Sequence, residues 1–87
     1  MMRYGLRCRT EEGVFSGERI CIFLAYNHSG QLVEDSHPAP KDYVRDEYVR
    51  VQERRTDGDK TFVRIAQAGS GDFVRFLVPT FIVIKLN

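Results

Sequence analysis

A chain of 87 residues, 43% hydrophobic and 29% charged, is long enough for one hydrophobic core and too short for two, and its composition excludes a disordered chain. Its longest apolar runs, residues 20–26 and 81–84, fall far short of the ~18 residues of a membrane span, and the opening Met1-Met2-Arg3-Tyr4-Gly5 has no apolar signal stretch, so a cytoplasmic protein with no membrane partner is expected. Thirteen basic against twelve acidic residues give a formal charge of +1, a field too weak to hold a phosphate backbone unless the basic groups cluster locally.

Residues 2–9 alternate strictly, with Met2, Tyr4, Leu6 and Cys8 on one face and Arg3, Gly5, Arg7 and Arg9 on the other, the period of a half-buried strand. Residues 10–17 hold two glycines and two glutamates and read as a turn, with Val14 and Phe15 tucked against the core. Residues 19–26 are apolar on both faces and β-branched at Ile20 and Ile22, which predicts a central strand covered on both sides. Asn27-His28-Ser29-Gly30 is turn chemistry, and residues 31–34 form the returning arm of a hairpin. Pro38 and Pro40 lack the N–H a ladder needs, so residues 36–40 are expected to cross over without pairing. Pro40 suits the first position of a short helical turn near 40–47, although Tyr43, Val44 and Tyr48 fit a strand period equally.

Residues 48–55 and 59–67, joined by Thr56-Asp57-Gly58, form the clearest hairpin, with Gly58 taking the left-handed position of a three-residue loop. That register places Val49, Val51, Val63 and Ile65 in the core. It leaves Tyr48, Arg50, Gln52 and Arg54 on the outer face, together with Phe62, Arg64 and Ala66. After the turn at residues 68–72, a strand over 73–78 adds Val74, Phe76 and Val78 to the core and turns Phe73, Arg75 and Leu77 outwards. Pro79-Thr80 ends it, and residues 81–86 make a terminal strand. Six to seven short antiparallel strands with turns about every ten residues predict an all-β domain over residues 1–87, a small partly or fully closed barrel. Closure requires the C-terminal strand to meet the first.

The segment from Tyr48 to Val83 resembles the second half of an SH3-like barrel. It has a hairpin around the acidic turn Thr56-Asp57-Gly58-Asp59, then Phe62-Val63-Arg64-Ile65, then Val78-Pro79 followed by Ile82-Val83. SH3 domains carry a Val-Pro, a short helical turn and a Tyr-Val at the latter place. The resemblance implies an SH3-like barrel. It implies no proline-rich ligand, because the aromatic motif and the tryptophan that line the peptide groove have no counterpart in this chain.

The outer face of the last three strands is the candidate binding surface. Arg50, Arg64 and Arg75 are expected to line up across the sheet with Tyr48, Phe62 and Phe73 between them, and Arg54 on the same face. Guanidinium groups beside aromatic rings on a β-surface are what single-stranded nucleic-acid binders use. The same pattern also describes a solvated exterior in which arginine stems cover the rings. Opposed Arg50 and Arg64 would repel unless a carboxylate or a ligand anion sits between them. Arg3, Arg7 and Arg9 form a second basic row, expected to pair with Glu11, Glu12 and Glu18 or to extend the surface.

No catalytic nucleophile, phosphate-binding loop or metal-ligand spacing stands out, so no enzyme, cofactor or metal is expected. Cys8 and Cys21 read as reduced core thiols rather than a disulfide, His28 and His37 as surface residues of polar turns, and Glu34, Asp35, Asp42, Asp46 and Glu47 as solvated loop charges. The expected function is a binding module contacting a protein partner, favoured over nucleic acid because the net charge is low. The competing expectation is an accessory subunit that forms a homo-oligomer through residues 81–84.

Overall fold

The computed structural model describes residues 3–86 and is all-β. Ten strands follow in order: β1 (Tyr4–Arg7), β2 (Arg9–Glu12), β3 (Glu18–Tyr26), β4 (Leu32–Pro40), β5 (Val44–Arg45), β6 (Tyr48–Val51), β7 (Glu53–Asp57), β8 (Lys60–Ala66), β9 (Phe73–Pro79) and β10 (Val83–Lys85). Single 3-10 turns over Lys41–Tyr43 and Thr80–Ile82 precede β5 and β10. The strands form three antiparallel sheets, ordered β10-β1-β6-β5, β2-β3-β4 and β7-β8-β9. None closes into a barrel. The terminal strands do meet, with Leu6 opposite Val83 and Tyr4 opposite Lys85, and β1 pairs on its other side with β6.

More strands appear than the six to seven expected because two long runs each change sheets and because Val44–Arg45 adds the short strand β5. Cys8 separates β1 from β2 and donates its backbone N–H to the Glu47 carbonyl at 3.0 Å; Gln52 separates β6 from β7 and donates to the Arg64 carbonyl at 2.8 Å. At Gln52 the bend inserts one residue and inverts the alternation, whereas across Cys8 the inward positions Leu6, Cys8 and Thr10 keep their period. The three sheets enclose a shared core that includes Leu6, Phe23, Val49, Val63, Ile65 and Val78. Phe23 meets Phe76 edge to face at 4.9 Å.

Several expectations need correction. Residues 10–12, expected to begin a turn, instead continue from Arg9 as β2 and pair with β3, and the true loop beyond them turns Val14 and Phe15 outwards, 85% and 73% exposed. There the Glu18 carboxylate accepts from the Val14 N–H at 3.0 Å, closing the loop on itself. β3 is buried on one face only: Cys21, Phe23 and Ala25 are inside, while Leu24 is exposed. Residues 36–40 do not cross over but continue β4, with Pro38 opposite Ile20 and Pro40 opposite Glu18. The prolines are tolerated because β4 is the end strand of its sheet, where a missing donor interrupts no second ladder. Met2, expected on the core face of β1, lies outside the described residues.

His37 is the largest departure. It is 3% exposed on β4, with its ring Nε2 2.8 Å from the Ala66 carbonyl oxygen and its ring edge-on to Phe76 at 5.4 Å. A carbonyl only accepts, so Nε2 carries the proton. Thr61, fully buried on β8, is satisfied by a relay. Thr80 donates to the Gly58 carbonyl, so it accepts from Thr61 at 2.8 Å; Thr61 then accepts from Thr56 at 3.1 Å, which accepts from Arg54.

Candidate functional site

The seven residues of the expected surface divide between two sheets. In the first sheet, Tyr48 and Arg50 share the outer face of β6, opposite Arg7 and Gly5 respectively. Glycine at position 5 is what lets Tyr48 lie down on β1, since a Cβ there would stand 2.8 Å from the ring's Cδ1. Arg50 is exposed beside Arg3, and the two line a depression with Tyr43, Arg45 and Tyr48.

The bend at Gln52 then reverses the parity of the strand. Arg54 is opposite Val63, on the face of the core residue and not of Phe62. Its guanidinium covers the Tyr4 ring at 3.9 Å and donates to the Tyr4 hydroxyl at 2.8 Å. Arg54 is therefore removed from the face on which the alternating pattern placed it. Glu53 and Arg55 take its place, opposite Arg64 and Phe62. The hairpin contributes to this register through a two-residue connection, Gly58-Asp59 between Asp57 and Lys60, with Gly58 at φ 65°; a three-residue loop was expected. Nothing in the residue types at 50–56 announces the bend.

The outer face of the third sheet retains four expected residues. Arg64 is directly opposite Arg75, Phe62 is opposite Leu77, and Phe73 is opposite Ala66. Ala66, expected outside, is itself buried at the end of β8. Phe62 and Phe73 are 43% and 42% exposed. The Arg64 guanidinium stands 5.3 Å from the Phe73 ring centre and binds Glu53 at 2.9 Å. Arg64 thus has a carboxylate partner, but on the side away from its opposed arginine, which is Arg75 and not the expected Arg50. Arg75 has no such partner among the described residues. Glu53, Arg55, Phe62, Arg64 and Arg75 bound an open depression on this face.

The second basic row behaves otherwise. Arg9 binds Glu34 at 3.3 Å across the second sheet, and neither Glu11, Glu12 nor Glu18 forms an ion pair with Arg3, Arg7 or Arg9. His28 is exposed in its turn, as expected. Cys8 and Cys21 are free and buried; the hydrogen bond between their thiols, with burial, holds Cys21 well above the ordinary thiol range. Among the described residues no cluster of histidine, cysteine, aspartate and glutamate is placed to hold a metal ion, and no helix is long and apolar enough to cross a membrane. Comparison with known proteins gave no matching family model, curated protein or solved structure.

Proposed function

We propose that this chain is a non-enzymatic binding module of SH3-like architecture that holds an anionic partner on the outer face of β7, β8 and β9. The observation that carries the reading is the direct opposition of Arg64 and Arg75 with one carboxylate, Glu53, for the two of them. Like charges facing each other across a ladder destabilise it, and an arriving anion relieves that repulsion. Phe62 and Phe73, exposed beside the two guanidiniums, add apolar contact that a merely solvated face does not need. The SH3-like reading is supported by the β7–β8 hairpin, the 3-10 turn immediately after Val78-Pro79 and the pairing of β1 with β10. Free thiols at Cys8 and Cys21 favour a reducing compartment such as the cytoplasm.

The test is a nuclear magnetic resonance titration of the chain with a polyanion such as poly-glutamate. Amide shifts should begin at Phe62–Arg64 and Phe73–Arg75 and should be lost in Arg75→Glu. Shifts absent, or confined to other strands, reject the reading.

A second reading, self-association, is favoured by β10 standing at an end of its sheet with Phe81 beside it 75% exposed. Sedimentation showing a single chain at every concentration rejects it.

A further inference from the structure

Three depressions follow one another along the molecule, each sharing two residues with the next. The one over Tyr48 shares Arg3 and Arg50 with a second at the Gln52 bend, and the second shares Glu53 and Arg54 with the one over Phe62. They follow β6 and β7 from the outer face of the first sheet to that of the third. Seven arginines and two carboxylates, Asp42 and Glu53, line them, a formal +5. The chain totals only +1, so everything else carries −4. Net charge near zero therefore conceals a locally basic track, and it is the local field that attracts a polyanion.

We propose that this track is a binding path for single-stranded nucleic acid, a proposal that rests on the anion-binding reading of the third sheet and extends it across the bend. Four of the guanidiniums, those of Arg3, Arg50, Arg55 and Arg75, make no ion pair among the described residues and are exposed, so they are free to meet phosphates. Rings are spaced along the same path: Tyr48 held flat over Gly5 at one end, and Phe62 at the other. Unpaired arginines running between two rings suit a strand whose phosphates meet the guanidiniums while bases at either end find a face to stack on. A duplex hides those faces inside its base stack. The run from Tyr48 to Arg55 extends about 25 Å at the usual strand rise, room for on the order of four nucleotides.

The experiment is fluorescence anisotropy with a labelled eight-residue oligothymidylate, an equally charged acidic peptide and a short duplex, against the wild-type chain, Arg50→Ala, Phe62→Ala and Arg75→Ala. All three positions are at least partly exposed, and circular dichroism confirms folding. With four phosphates neutralised, affinity for the oligonucleotide should fall about 50-fold between 50 and 200 mM salt. Phe62→Ala should weaken it about tenfold, and Arg50→Ala should weaken it and lower the salt slope by about 0.7. Binding of the acidic peptide with none of the oligonucleotide overturns this proposal and leaves the anion-binding module standing. Oligonucleotide binding that ignores Arg50→Ala also overturns it, confining the site to the third sheet. Preference for the duplex overturns the stacking path, and no binding by any probe overturns both readings.

Discussion

The Nε2–H of His37 on β4 reaches the backbone carbonyl oxygen of Ala66 on β8 at 2.8 Å, joining the second sheet to the third inside the core. Burial pushes the imidazole below its ordinary value, outweighing the opposing effects of the Ala66 hydrogen bond and of Asp35. The folded state therefore resists protonation more than the unfolded chain does. Where the unfolded state binds more protons, stability rises with pH. Full stability is expected above the ordinary histidine value of about 6.5, and it should fall as pH drops through that value towards the lower folded one. Urea unfolding between pH 5 and 8 checks this, and His37→Gln should flatten the histidine part of the profile while lowering stability at pH 7.5 by about 1–3 kcal/mol.

Cys8 and Cys21 form a buried hydrogen-bonded thiol pair. Only a thiolate reacts readily, and burial together with the shared proton keeps Cys21 protonated. A thiol reagent at pH 8 should leave Cys21 unmodified in the folded protein and modify both cysteines once it is unfolded. Rapid native labelling of Cys21, located by peptide mass, would contradict the described packing.

Glu53 flanks Arg64 on the side away from Arg75 and offsets part of the charge the two arginines share. The pair is well exposed, so Glu53→Gln should cost less than about 1 kcal/mol at low ionic strength, and the cost should shrink as salt is added. The same change leaves two opposed guanidiniums without a carboxylate and should tighten binding of any anion on that face. Weaker anion binding by Glu53→Gln would show that the face does not act as proposed.

Phe15 and Phe23 have the same side chain in opposite surroundings. Phe15 is 73% exposed and Phe23 4%. Phe15→Ser should change stability by no more than about 0.5 kcal/mol, whereas Phe23→Ala, which empties the contact with Phe76, should cost about 3–5 kcal/mol. Thermal unfolding of the two variants compares them directly.

Much of this architecture is legible in local patterns. Alternation at Val49, Val51, Val63 and Ile65 identifies the buried face of the long hairpin, and all four are core residues. The Asn27 turn closes as its chemistry requires, with Asn27 Oδ1 accepting from Ser29 and Gln31. A short turn in 40–47 and the meeting of first and last strands follow from the proline and from the need to cover terminal apolar runs. These features depend on residues near one another in sequence or on which side chains must leave water.

What the sequence alone determined, then, is which residues are apolar, where the Asn27 turn falls and which face of the long hairpin around Val49, Val51, Val63 and Ile65 is buried. How the strands divide among three sheets was decided only by the tertiary structure. The bends at Cys8 and Gln52 depend on hydrogen bonds to Glu47 and Arg64, partners 39 and 12 residues away by their numbers, and no local preference encodes such partners. One bend is enough to move Arg54 off the expected surface and bring Arg55 onto it, because strand side chains alternate and a single inserted residue inverts the face. His37 looks like a turn histidine until β3 supplies a partner strand for the prolines around it and Ala66 supplies an acceptor. Its burial is a property of three strands together.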